Sequence, residues 1–183
     1  MQIKGTAVKI TADFVKANFK DRYYEWIESL PDTSRDIVGQ PVFSSSWYSL
    51  IDSVIIPTQR VGDLFFPSHK DAALELGRFS SESALNGIYK IFIKISSPQF
   101  VLSRATNVFA TYYNPADIQI LTAKDNSAIL EMKGFTRKEE LVVYRIAGWL
   151  EKTIELTTNT KIPPVIEKQY TGDNLSAKIS MKW

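Results

Sequence analysis

The chemistry open to this chain is bounded first by the reactive residues it lacks. No cysteine occurs among its 183 residues, and His69 is the one histidine. Without thiolates there is no disulfide framework, no Cys-based metal centre and no cysteine nucleophile. A single imidazole removes multi-histidine metal sites and leaves any serine nucleophile with only His69 as its histidine base. The carboxylate pairs Glu25/Glu28, Glu139/Glu140 and Glu151/Glu155 fall in helical stretches rich in solvent-facing charge. Glu139 is already engaged as a capping residue, and Glu151 and Glu155 flank Lys152. None offers the contrasting environments that separate a catalytic acid from a catalytic base. There is no G-x-S-x-G elbow, no phosphate-binding glycine loop and no H-E-x-x-H. The expectation is a chain that is not an enzyme and carries no metal or other cofactor.

Binding chemistry is better represented. Aromatic residues make up 12% of the chain, enough to line an apolar pocket. The candidates are Trp47, Tyr48, Tyr89, Phe92, Phe109, Tyr112 and Trp149, on or beside the helices expected to face a sheet. The same helical spacing equally serves an ordinary core, and polar tips on Tyr and Trp need partners in either case. Arg78 lies in phase with Leu74, Ser81 and Leu85. Buried there, it requires a carboxylate or the anionic group of a ligand; at a helix edge it snorkels to water.

Formal charge is +2 and its carriers are dispersed, as in Lys4, Lys9, Lys16 and Lys20. Polyanion binders concentrate basic residues on one stripe, so nucleic acid is not an expected partner. Lys4 and Lys9 interrupt the place of a signal-peptide core, and the uncharged stretch Val38–Ile51 is too short and polar to span a bilayer. A cytoplasmic domain without a membrane span is expected.

The elements that position these residues follow from periodicity. Ile3–Ile10 predicts a strand, with a helix start at Thr11 and helical turns through Tyr23, Trp26, Ile27 and Leu30 up to Pro31. Val38–Tyr48 predicts a loop. A helix with Leu50, Val54, Val61, Leu64 and Phe65 in phase should kink or break near Ile56 because of Pro57. Ser68 predicts the N-cap of a long helix running to Ile95, with Gly77 and Gly87 marking close approach of another backbone. Ser97-Pro98 opens the next helix, which ends near Asn114-Pro115. The period then drops to two. Asp117–Ala123 and Ser127–Lys133 form a hairpin, and Thr136 with Glu139 caps a helix carrying Val142, Ile146, Trp149, Leu150 and Ile154. Val165–Tyr170 and Leu175–Trp183 close the chain as a second hairpin about Gly172-Asp173. Residues 1–183 thus form a single domain of α+β class, an antiparallel β-sheet packed against a layer of α-helices.

Several stretches resemble a small uncharacterised bacterial family known chiefly from myxobacteria: Gly77-Arg78-Phe79, Gly87-Ile88-Tyr89-Lys90, Ser97-Pro98-Gln99-Phe100-Val101-Leu102, Tyr112-Tyr113, Gly5-Thr6-Ala7-Val8-Lys9, Ser46-Trp47-Tyr48 and Ala147-Gly148-Trp149. The ending, Gly172-Asp173 through Ile179-Ser180-Met181-Lys182-Trp183, is similar to the closing hairpin of 4-vinyl-reductase-type domains. That superfamily also holds haem–nitric-oxide-binding domains and the core subunits of the TRAPP tethering complex. The resemblance implies an α+β fold, an apolar cavity in many members and frequent dimerisation. It does not carry metal sites over. The zinc-bearing relatives place a cysteine in the last hairpin, where this chain has Ala177 or Ser176. The haem-binding branch needs a proximal histidine on a helix, whereas His69 stands at a helix start within Pro67-Ser68-His69-Lys70.

Two functions from different classes meet these constraints. One is a non-enzymatic domain binding a small apolar or aromatic molecule in bacterial signalling. The other is a dimeric protein-interaction scaffold of the same fold, whose partner is a second copy or another protein.

Overall fold

The chain enters on a short strand and turns at once into a helix. In the computed structural model, which describes residues 1–85, 97–124 and 126–183, β1 is Gln2–Lys4 and α1 is Gly5–Asn18. This corrects the strand expected over Ile3–Ile10. The β-branched side chains favour a strand locally, yet Val8, Thr11, Ala12 and Val15 recur at helical spacing and are all buried, so tertiary packing decides. Gly5 permits the abrupt turn, since a Cβ there would lie 2.0 Å from the carbonyl oxygen of Phe43.

Helices α2 (Tyr23–Glu28) and α3 (Asp32–Val38) follow. The loop expected over Val38–Tyr48 is shorter: Val38 belongs to α3, while Trp47 and Tyr48 belong to β2 (Trp47–Ser49) and pair with Lys4 and Ile3. The break expected near Ile56 is present as a π turn over Ile51–Ile55 that passes into α4 (Ile56–Phe65). Pro57, which has no N–H to donate, stands in the first turn of α4, where the π turn passes into α-helix. Ser68 caps α5 (His69–Leu85), its hydroxyl accepting from the Asp71 amide at 3.2 Å. The part of the expected helix beyond Leu85, with Gly87, Tyr89 and Phe92, lies outside the described residues.

Helix α6 spans Pro98–Tyr112, with Ser97 accepting from the Phe100 amide as its N-cap. It feeds β3 (Tyr113–Asn114), which completes a three-stranded sheet in the order β2-β1-β3. The second sheet is antiparallel, ordered β4-β5-β7-β6, from β4 (Asp117–Lys124), β5 (Ser127–Thr136), β6 (Val165–Thr171) and β7 (Asn174–Lys182). Its inner face carries Leu130, Met132, Leu175, Ala177, Ile179 and Met181, all buried, as the period-two pattern requires. The Thr136–Glu139 capping box is formed as expected and leads through a 3-10 turn into α7 (Leu141–Thr158). The fold is α+β, with antiparallel sheets packed on helices.

Helices α5 and α7 make the tightest contact. A Cβ on Gly77 would stand 2.0 Å from the Arg145 carbonyl oxygen, and one on Gly148 would stand 2.0 Å from that of Leu74. The backbones therefore touch without intervening side chains. Beside this contact Arg145 is buried, its Nη1 donating to the Thr11 hydroxyl at 3.0 Å and the Thr58 hydroxyl at 3.1 Å. Burial lowers its pKa, opposed by the neighbouring Tyr113. The same burial pushes the Tyr113 phenol up to about 12.

Candidate functional site

The close approach of α5 and α7 sets Arg78 beside Glu151. Nε of Arg78 donates to Glu151 Oε2 at 2.8 Å, Nη2 donates to the same oxygen, and Nη1 donates to Glu75 Oε1. Glu151 is 1% exposed, which corrects its expected place on a solvent-facing helix side. A carboxylate is held there because the guanidinium on the facing helix neutralises it and supplies hydrogen bonds. Burial alone would lower the Arg78 pKa; the hydrogen bond to Glu151 and the charges of Glu75 and Glu151 outweigh it and raise it.

Arg78 also opens into a cleft of about 280 Å³ between α1, α5 and α7. Phe14 and Phe79 form its apolar surface, their rings edge to face at 5.4 Å. Its charged walls are Glu75, Arg78 and Glu82 from α5, Lys152 and Glu155 from α7, and Lys161 beyond it. Asn18 completes the lining, its Nδ2 donating to the Phe14 carbonyl at 2.9 Å. The volume lies near the lower end of small-molecule sites, roughly 300 Å³.

The remaining candidates are dispersed. Phe109 and Trp149 meet edge to face at 5.1 Å between α6 and α7, and Tyr112 is half-buried at the end of α6. Trp47 and Tyr48 sit on β2, where Lys4 Nζ lies 4.2 Å from the Trp47 ring centre and the Tyr48 hydroxyl accepts from the Phe43 amide at 3.0 Å. Tyr89 and Phe92 fall outside the described residues. Of the sequence-predicted residues that are described, Arg78 alone is brought to the cleft. Phe14, Phe79 and Glu151 were missed. Arg78 in an apolar stripe was itself the signal for a buried carboxylate on the facing helix.

This arrangement of two antiparallel sheets and crossing helices is a fold also found in solved H-NOX proteins. Among solved structures, an Fe(II) unliganded H-NOX protein from K. algicida is similar at a TM-score of 0.70 and 16% identity, covering 99% of this chain and 97% of that one. An H-NOX protein from S. oneidensis in the Fe(II)NO state gives 0.63 at 15% identity, covering 99% and 100%. A Cs H-NOX variant gives 0.72 at 13% identity, covering 98% and 96%. No family model matches the chain. No curated protein sequence matches it either.

The described residues do not fit a histidine-ligated haem. His69 Nε2 is 2.7 Å from Asp63 Oδ1, the imidazole is 44% exposed, and the residue packs on Gly62 at the α4–α5 turn. The hydrogen bond with His69, helped by Arg60 against a burial effect that raises it, holds the Asp63 carboxyl below its ordinary pKa. The ring is thus tied to a surface ion pair. Between α6 and the larger sheet, Leu102, Ile120, Ala128, Leu130, Leu150, Ile179 and Met181 leave only about 10 Å³. That is room for at most one water, in an apolar setting where water lacks partners. Among the described residues no cluster of three or more His, Cys, Asp or Glu could hold a metal ion, and no helix is long and apolar enough to cross a membrane.

Proposed function

We propose that this chain is a non-enzymatic, cytoplasmic sensory domain of bacterial signalling that binds a small molecule without histidine-ligated haem. The observation that carries this reading is the cleft between α1, α5 and α7, with two aromatic rings and a half-buried Arg78 ion-paired to the buried Glu151. Full-length likeness to H-NOX folds supports a sensory role, since those proteins bind iron-centred haem and, in one case, nitric oxide. Kinship with the myxobacterial family belongs to the same reading and rests on motifs that include Gly77-Arg78-Phe79 and Ala147-Gly148-Trp149 at the helix crossing, and kinship with 4-vinyl-reductase-type domains rests on the closing hairpin from Gly172 to Trp183. The ligand would lay an apolar body on Phe14 and Phe79 and offer polar groups to the walls. Native mass spectrometry of the purified protein tests it: a bound organic molecule is expected, and its loss in Phe79→Ala with the fold intact supports the cleft. A ligand retained equally by that variant would place binding elsewhere.

A further inference from the structure

The walls of the cleft constrain the class of ligand. Three basic side chains, Arg78, Lys152 and Lys161, face three acidic ones, Glu75, Glu82 and Glu155. A wholly apolar guest would strip water from these charges without replacing it, a cost that grows with each desolvated ion. A simple anion would meet the carboxylates, and a simple cation would meet the basic groups. Much of the charge is already matched: Lys152 pairs with Glu155 at 3.3 Å, and Arg78 is shared between Glu151 and Glu75. Glu82 and Lys161 have no ion pair among the described residues and are exposed. Arg78 uses three of its five N–H groups on Glu75 and Glu151, which leaves donors for a further acceptor.

We propose that the cleft takes a small zwitterion with an aromatic or apolar body, of the α-amino-acid type. Its carboxylate meets Arg78 and Lys161, its ammonium meets Glu82, and its side chain rests against Phe14 and Phe79. This rests on the ligand-binding reading above and adds the chemical class. Both charges of such a guest find opposite charge while its apolar part leaves water, so no wall group is desolvated unpaired.

The test is an NMR titration of backbone amides with four probes: L-phenylalanine, phenylacetate, phenethylamine and toluene. L-phenylalanine should perturb α1, α5 and α7 and bind about tenfold more tightly than either singly charged probe. Glu82→Gln, an exposed change that spares the Arg78–Glu151 pair, should weaken L-phenylalanine and phenethylamine but not phenylacetate. Lys161→Gln should weaken L-phenylalanine and phenylacetate but not phenethylamine. Toluene or a singly charged probe binding the cleft as tightly as L-phenylalanine would overturn the zwitterion assignment while leaving a ligand cleft in place. Absence of any shift in the three helices with all four probes would overturn both.

Discussion

Gly77 and Gly148 are reciprocal: each lies against a backbone carbonyl of the helix that carries the other, at Arg145 and Leu74. That contact fixes the distance between α5 and α7, and with it the pairing of Arg78 with Glu151 and of the Ser81 hydroxyl with that of Thr153 at 2.9 Å.

The first prediction concerns this contact. Gly77→Ala and Gly148→Ala each place a methyl group where backbone must yield, so each should lose about 3 kcal/mol or more. Urea unfolding should show a lower midpoint in both variants, and the Arg78–Glu151 geometry should loosen even where the fold survives. An alanine variant as stable as the parent would mean that the helices are not in backbone contact.

A second prediction follows from Arg145. Its guanidinium is buried against Thr11 and Thr58 hydroxyls, with no carboxylate paired to it among the described residues. Thr58→Val keeps the shape but removes an acceptor from a buried charged donor, and should cost about 1–3 kcal/mol. Thr58→Ser retains the hydroxyl and should recover most of that loss. A valine variant as stable as the parent would remove the hydroxyl from the account.

The helix crossing was partly legible from sequence. Interior Gly77 in an apolar stripe signals close packing, and Arg78 beside it signals a carboxylate. The partner Glu151 was hidden because charged residues in the same stretch, Lys152 and Glu155, mark a wet face. Helix α7 is in fact enclosed on most sides, with Arg145, Glu151 and Thr153 buried. Phe14 was legible as a helical residue beyond Thr11, but β-branched neighbours masked the helical phase of residues 5–10, and no local signal set its ring opposite Phe79. Hairpins and caps were read correctly because their signals are local, as in Gly172 at φ +61° and the Thr136–Glu139 box.

The third prediction is a pH dependence. Burial would raise the Glu140 pKa, but hydrogen bonds from Lys168 and Tyr170 and the charges of Lys168 and Lys70 outweigh it and hold it below its ordinary 4.5. A carboxyl lowered on folding stabilises fully above its unfolded value, and that contribution disappears as pH falls through the folded one. Unfolding midpoints should therefore drop below about pH 4.5. Glu140→Gln should flatten this decline, whereas an unchanged acid slope would remove the pair from the account.

The most direct measurement is the absorption spectrum of the protein produced with ample haem precursor, taken beside that of His69→Ala. The account predicts no stoichiometric Soret band in either, because the only imidazole is committed to Asp63 at the α4–α5 turn. A full Soret band in the parent that is lost in His69→Ala would contradict it.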